Sequence, residues 1–200
     1  FLSRALTGDI FDAYAPVALT SVPAEFQLDA SHRATPIDYG DVCLNYDKAY
    51  FVERGLSLPQ SLDDLLKPEL KGLLVVENPA TSSPGLAFLL ATIAAYGDSG
   101  YLDYWRGLRA NDVKVVEDWS TAYYTDFSGS SGKGPRPLVV SYASSPPAEV
   151  IFADPRPADA PTASVTGAGT CFRQIEFAGV LKGTPNPDLA QAWIDFMLSP

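Results

Sequence analysis

"LLVVENPATSSPGLAFLLATIAAYG", residues 73–97, joins an apolar run, a polar turn and a patterned helix in one segment. It opens with a short, continuously apolar run, the pattern of a strand covered on both faces. A polar turn of Thr81, Ser82 and Ser83 follows. Leu86, Leu89, Leu90, Ile93 and Ala94 then recur at the spacing of a helix with one face in the core. Pro84 suits the first turn of that helix, where its missing N–H costs nothing. Strand, polar turn and helix in that order make one repeat of an α/β domain.

The same succession extends in both directions. Residues 1–14 predict a short helix that ends near Gly8, and Pro16 to Pro36 reads as loop. "YGDVCLNYD" alternates as a strand, and "LPQSLDDLLKPELKG" predicts a helix starting at Ser61 and limited by Pro68 and Gly72. Downstream, "YLDYWRGLRAND" reads as a second helix, "VKVVED" as a strand, "STAYYTDF" as a helix capped by Ser120, and "LVVSY" as another buried strand. "SGSSGKGPRP" reads as a surface loop and "ADPRPADAP" as a turn-rich connection. "CFRQIEFAGVL" predicts one long strand, and "NPDLAQAWIDFML" a helix with Leu189, Trp193, Phe196 and Met197 packing inward. The fold class is α/β, with a sheet covered on both sides.

Composition limits the partners. The 200 residues carry a formal net charge of -10, which disfavours nucleic acid, because phosphate binding needs clustered Lys and Arg. A cationic or neutral small ligand fits better. No apolar run is long enough to span a bilayer, and no signal-peptide pattern opens the chain. Both ends read as cut from something longer. Cys43 and Cys171 lie far apart, each in a strand-like run, and neither has a second Cys nearby to form a metal knuckle. A disulfide, which would require an oxidising compartment, and two buried thiols both remain open.

In open α/β sheets, ligands collect where loops leave the carboxyl ends of strands. Three loops here occupy that position: "TSSPG" after "LLVVEN", "DWSTAYY" after "VKVVE", and "SYASSP" after "LVV". The first would offer hydroxyls and free amides at a helix N-terminus, which suit an anionic group. Trp119 and Tyr142 could hold a flat, positively charged ring between them. The bland reading of each element is a helix cap or a packed ring. Trp105 and Trp193 sit on helical stripes as core residues, and His32, the lone histidine, reads as structural. No nucleophile elbow, Walker loop or dinucleotide fingerprint is present. A hydrolase using Ser141 or Ser144 therefore lacks a supporting motif.

Read in order, "DYGDVCLNYDK", "SLDDLLKPELKGLLVVENPATSSPGLAFLLATIAAYGD", "VKVVEDWSTAYYTDF", "LVVSYASSPPAE" and "FAGVLKGTPNPDLAQAWIDFMLSP" resemble the periplasmic thiamine-binding proteins of bacterial ABC importers. The "TSSPGL", "DWS-x-AY" and "SYASSP" segments are the most specific parts. The resemblance implies a type II periplasmic-binding-protein-like fold, with one complete lobe and remnants of the other. Residues 39–178 would form the second α/β lobe with its hinge-crossing strands. Residues 1–38 would be a remnant of the first lobe, and 179–200 a C-terminal helix belonging to it. It further implies a periplasmic or extracytoplasmic location, ABC importer permease subunits as partners, no cofactor and no catalysis.

The implied ligand is thiamine or a thiamine phosphate, with Trp119 and Tyr142 as ring-stacking positions. The turn containing Ser82, Ser83 and Gly85 would lie near the hydroxyethyl or phosphate end. Tyr123, Ser141 and Ser144 are weaker carry-overs. On this reading Trp119 is displayed at the cleft with Tyr123 beside it, and Tyr124 is buried. The alternatives within the superfamily are a ferric-ion binder, tempted by the Tyr123–Tyr124 pair, and a phosphonate or polyamine binder.

Overall fold

In a computed structural model, which describes residues 1–129 and 134–199, the chain divides into two units, Phe1–Tyr39 with Ile175–Pro200, and Gly40–Gln174. It begins with α1 (Leu2–Thr7) and β1 (Phe11–Asp12), followed by 3-10 turns at Val17–Ser21 and Ala24–Phe26. Next come β2 (Thr35–Asp47), α2 (Lys48–Arg54), 3-10 turns at Asp63–Leu66 and Pro68–Leu70, β3 (Leu74–Glu77) and α3 (Ser83–Ala110). After β4 (Lys114–Val116), a single helical turn α4 (Trp119–Thr121) runs into a π-helical turn, Ala122–Asp126. The chain continues through β5 (Leu138–Tyr142), α5 (Ser145–Ile151), β6 (Thr162–Val165), β7 (Phe172–Ala178), β8 (Val180–Leu181) and α6 (Pro187–Met197). Part of the "SGSSGKGPRP" loop, residues 130–133, lies outside the described residues.

The larger unit is built on a mixed sheet of order β4-β3-β5-β2-β6, with β7 also pairing with β2. β3 runs parallel to β4 and β5, whereas β2 is antiparallel to β5 and β6. Successive side chains of a strand point to opposite faces, so the register assigns two chemically different surfaces. On one, Leu44, Leu74, Val76, Leu138 and Val140 meet Phe88, Tyr104 and Leu108 of α3 in the main apolar core. On the other, Val75 and Val139 pack against Ala122, Tyr123 and Phe127. Alternation puts Glu77, Ser141, Asn45 and Ser164 on this second face as well. It is partly knit by hydrogen bonds, Ser164 to Asn45 at 3.0 Å and Asn45 to the Tyr142 carbonyl at 3.0 Å.

The two helices expected between residues 83 and 111 form one element interrupted at Gly97, whose φ of 69° and ψ of 174° break the helical path. The buried stripe is also displaced. Pro84, Ala87, Phe88, Ala91 and Thr92 face the sheet, while Leu90 and Ala94, expected inward, are exposed. This helix is apolar nearly all round, so periodicity alone leaves its phase open, and close approach settles it. A Cβ on Gly85 would lie 2.4 Å from the Glu77 carbonyl oxygen, so only glycine lets the helix start this near β3. Trp105 is half-buried against the same core, its Nε1 donating to the Thr92 hydroxyl at 3.0 Å.

Other expectations are corrected locally. The helix predicted from Ser61 is two short 3-10 turns, because Pro68 starts the second rather than extending the first. Ser61 does accept at its start, from the Asp64 amide at 3.4 Å, and Asp64 reaches back to accept from the amides of Gln60 and Ser61 at 2.7 and 3.1 Å. The long strand expected after Cys171 is β7 and β8 separated at Gly179, where a Cβ would meet the Arg33 carbonyl at 2.7 Å. β6 was not expected, since "TASV" is short and follows a proline-rich segment. Cys43 and Cys171 are joined in a disulfide across 128 residues. A loop of that length is worth about 4–5 kcal/mol in the chain-entropy account. Two residues along from the cysteines, Arg173 grips Asp41 through two hydrogen bonds of 2.9 Å.

The smaller unit pairs β1 with β8, Phe11 opposite Leu181. Asp9 joins Arg33 at 3.0 Å and also pairs with Lys182, and Tyr14 donates to Asp195 at 2.8 Å. His32, read as structural, sits in a turn at positive φ with its carbonyl accepting from the Tyr14 amide. In α6 the expected inward stripe is turned out. Leu189, Trp193, Phe196 and Met197 are exposed, and Ile194 is the buried residue of the helix. An apolar stripe is a capacity for burial, and this unit offers it a two-stranded sheet and short helical segments as cover. Trp193 and Phe196 shelter one another, ring centroids 5.7 Å apart.

Candidate functional site

The site lies within the larger unit, at the carboxyl ends of β3, β4 and β5. After β3, Asn78 turns the chain by accepting the Ala80 amide at 3.0 Å, and Thr81 reaches across to the Glu117 carbonyl at 2.6 Å. That bond ties the loop after β3 to the loop after β4. Ser82 is the N-cap of α3, its hydroxyl accepting from the Gly85 amide at 3.5 Å. A helical element interrupted at Gly97 thus begins at this point, and a helix N-terminus carries partial positive charge.

After β4, Asp118 rather than Ser120 caps the next turn, accepting from the Thr121 amide at 2.7 Å and the Thr121 hydroxyl at 3.1 Å. Its carboxylate is well placed for this because residues before a helix keep extended backbone while the side chain reaches forward. The cap orients Trp119. The indole Nε1 donates to the Ser141 hydroxyl at 2.8 Å, and Ser141 is in turn 2.9 Å from the Ser145 hydroxyl. One indole face lies against the Tyr123 ring, at 4.9 Å between centroids and 18° between planes.

Thr81, Ser82, Ser83, Pro84, Asp118, Trp119, Ser120 and Tyr142 line one recess of about 370 Å³. Four sequence-derived positions, Ser82, Ser83, Trp119 and Tyr142, therefore share a wall. Gly85 lies behind it, serving the approach of α3 to β3, and Ser141 lies beneath as the anchor of the indole. Ser144 is exposed at the start of α5 without a capping bond. Thr81, Asp118 and Ser120 were not singled out as site residues. Asp118 was legible as a cap, since it stands directly before the turn that carries Trp119.

Tyr123 and Tyr124 exchange the roles expected of them. Tyr123 is 3% exposed and Tyr124 52%. Adjacent positions of the turn point to different sides, and the inward one is Tyr123, whose ring reaches Val75 and Val139 while its hydroxyl donates to Glu149. No group of three or more His, Cys, Asp or Glu side chains suited to a metal ion is found among the described residues. Nor is any helix of these residues long and apolar enough to cross a membrane.

Glu77 is the anomaly of this region. Its side chain is fully buried, and both carboxyl oxygens lack a hydrogen-bond partner. Burial raises its pKa from 4.5 to about 8, with the nearby charge of Asp118 pushing the same way. At neutral pH the group is therefore largely a neutral carboxylic acid.

Comparison with known proteins agrees with this architecture. Across residues 1–200 the chain matches the family described as bacterial extracellular solute-binding protein. It is 33% identical over 165 residues to the thiamine-binding periplasmic protein of Salmonella typhimurium, covering 82% of this chain and 46% of that one. The thiamine-binding periplasmic protein of Brucella abortus is 32% identical over 180 residues, covering 90% of this chain and 48% of its own length. Among solved structures, a periplasmic thiamin binding protein superposes with a TM-score of 0.79 at 28% identity, covering all of this chain and 57% of that one. The chain thus spans about half the length of the curated relatives it matches, and its α/β fold is that of periplasmic binding proteins. On this match along its whole length, the chain belongs to the bacterial extracellular solute-binding protein family.

Proposed function

We propose that this chain carries the ligand-binding wall of an importer's solute-binding component, and that thiamine or a thiamine phosphate occupies the recess between Ser83, Trp119 and Tyr142. The observation that carries the reading is the convergence of three post-strand loops on a recess whose indole is hydrogen-bonded in place. A flat pyrimidine or thiazolium would lie against Trp119 or Tyr142, gaining stacking and, for the cationic ring, cation-π attraction of about 0.5–2 kcal/mol. Asp118 supplies a carboxylate on the rim for the same charge. A hydroxyethyl or phosphate group would be received at the start of α3.

The protein acts on this reading by binding and release, without turnover. The hydroxyl of Ser141 is engaged by Trp119 and Ser145, which supports a positioning role rather than a nucleophilic one. Residues 39–178 would be the second lobe of a type II binding protein, with 1–38 and 179–200 parts of the first. The partners would be ABC importer permease subunits and the location periplasmic, a compartment that permits the Cys43–Cys171 disulfide.

Calorimetric titration with thiamine, its mono- and diphosphate, and ferric citrate tests the assignment. Heat with at least one thiamine species and none with ferric citrate is expected. Silence with every thiamine species removes the assignment.

A further inference from the structure

A second recess, of about 680 Å³, opens beside the first but is lined by different residues apart from Trp119. Its wall combines Tyr124 and Phe152 with Pro155 and Pro161, and Glu149 stands among them. Phe152 is 85% exposed, so its ring is open to a guest in this recess. Glu149 is held rather than free to swing. Its Oε1 accepts from the Tyr123 hydroxyl and its Oε2 from the Thr162 hydroxyl at 2.7 Å. Both partners are neutral, and no Lys, Arg or His among the described residues forms an ion pair with it. The neighbouring Asp159, by contrast, is neutralised by Lys48 at 2.7 Å.

A fixed carboxylate with unused lone pairs, set among aromatic and proline faces in a space of small-ligand size, is complementary to one class of molecule. We propose that this recess binds a small organic cation, an ammonium or quaternary ammonium group on an apolar body. The charge would face Glu149 and lie against the rings of Tyr124 and Phe152, where aromatic faces attract cations. A neutral apolar guest would gain only the rings and leave the carboxylate uncompensated. This site is distinct from the one proposed for thiamine, with Trp119 the wall they share, because Glu149 and Phe152 do not border the first recess and Ser83 and Tyr142 do not border this one.

The test is an NMR titration of the full chain with choline, alongside its neutral isostere 3,3-dimethylbutan-1-ol. Saturable shifts at the amides of Ala148, Glu149, Phe152 and Ala153 are expected, with a dissociation constant on the order of millimolar. The neutral isostere should bind about tenfold more weakly or worse. Glu149→Gln should weaken choline about tenfold and Phe152→Ala about threefold, while Ser83→Ala leaves it unchanged. Absence of saturation at roughly 100 mM choline, equal affinity for choline and the alcohol, or shifts centred on residues 81–84 would each overturn the proposal. The isostere comparison uses the unaltered protein, so it decides even where a variant folds poorly.

Discussion

The two faces of the central sheet are made by alternate residues of the same strands and have opposite characters. Leu74, Val76, Leu138 and Val140 point to a face that α3 closes with apolar side chains. Val75 and Val139 share the other face with Glu77 and Ser141, against the segment that carries Trp119. The first face secures the fold through burial, and the second sacrifices some of that burial to position an indole and two recesses. A period-two pattern therefore separates stability from binding within single strands.

Substitutions should divide along that line. The largest loss of stability is expected from Leu108→Ala on the closed face, where Leu108 is 1% exposed. Truncation there should cost about 2–5 kcal/mol by urea denaturation, and a loss below about 1 kcal/mol would contradict a close-packed face.

On the other face, Glu77→Gln should do the reverse. The folded protein holds the Glu77 proton up to about pH 8, whereas the unfolded chain releases it near 4.5. The folded state therefore binds more protons between these values, and stability falls as pH rises through that window. Glutamine cannot ionise, so the variant should lose this slope and gain about 3–5 kcal/mol over the parent at pH 8, with little gain at pH 4. Parallel stability curves would place the carboxyl in a solvated setting.

The smallest effect on folding but the clearest on binding is expected from Trp119→Ala, which should weaken thiamine by about 1–3 kcal/mol in calorimetry. An unchanged affinity would make the indole a packing group alone.

The fold was readable wherever local chemistry allowed a single answer. Residues 73–97 announce strand, turn and helix because an apolar run, a cap and Pro84 agree. Ser82, Ser83, Trp119 and Tyr142 were readable as neighbours because each stands at or beyond the carboxyl end of a strand that topology places beside the next. The phase of α3 was not, since Leu86, Leu89 and Leu90 are as apolar as Ala87, Phe88 and Ala91. The close approach at Gly85 that chooses between them is a tertiary fact. Tyr123 and Tyr124 present the same difficulty, as two equal rings on opposite sides of a turn. The α6 stripe was correctly seen as amphipathic, yet amphipathicity does not specify whether a partner surface is present. Glu77 carries no sequence signal beyond ending an apolar run, and its burial follows from alternation only once the second face is known to be covered.

On the proposed function the loops after β3, β4 and β5 hold the ligand, and the indole N–H resonance of Trp119 reports on this during a thiamine titration of the full chain. That proton is bonded to the Ser141 hydroxyl at 2.8 Å, and a ring stacked beside it should shift the signal saturably, together with the amides of Thr81, Ser82 and Ser83. Saturable binding that leaves the indole signal and residues 81–83 unmoved would contradict the account.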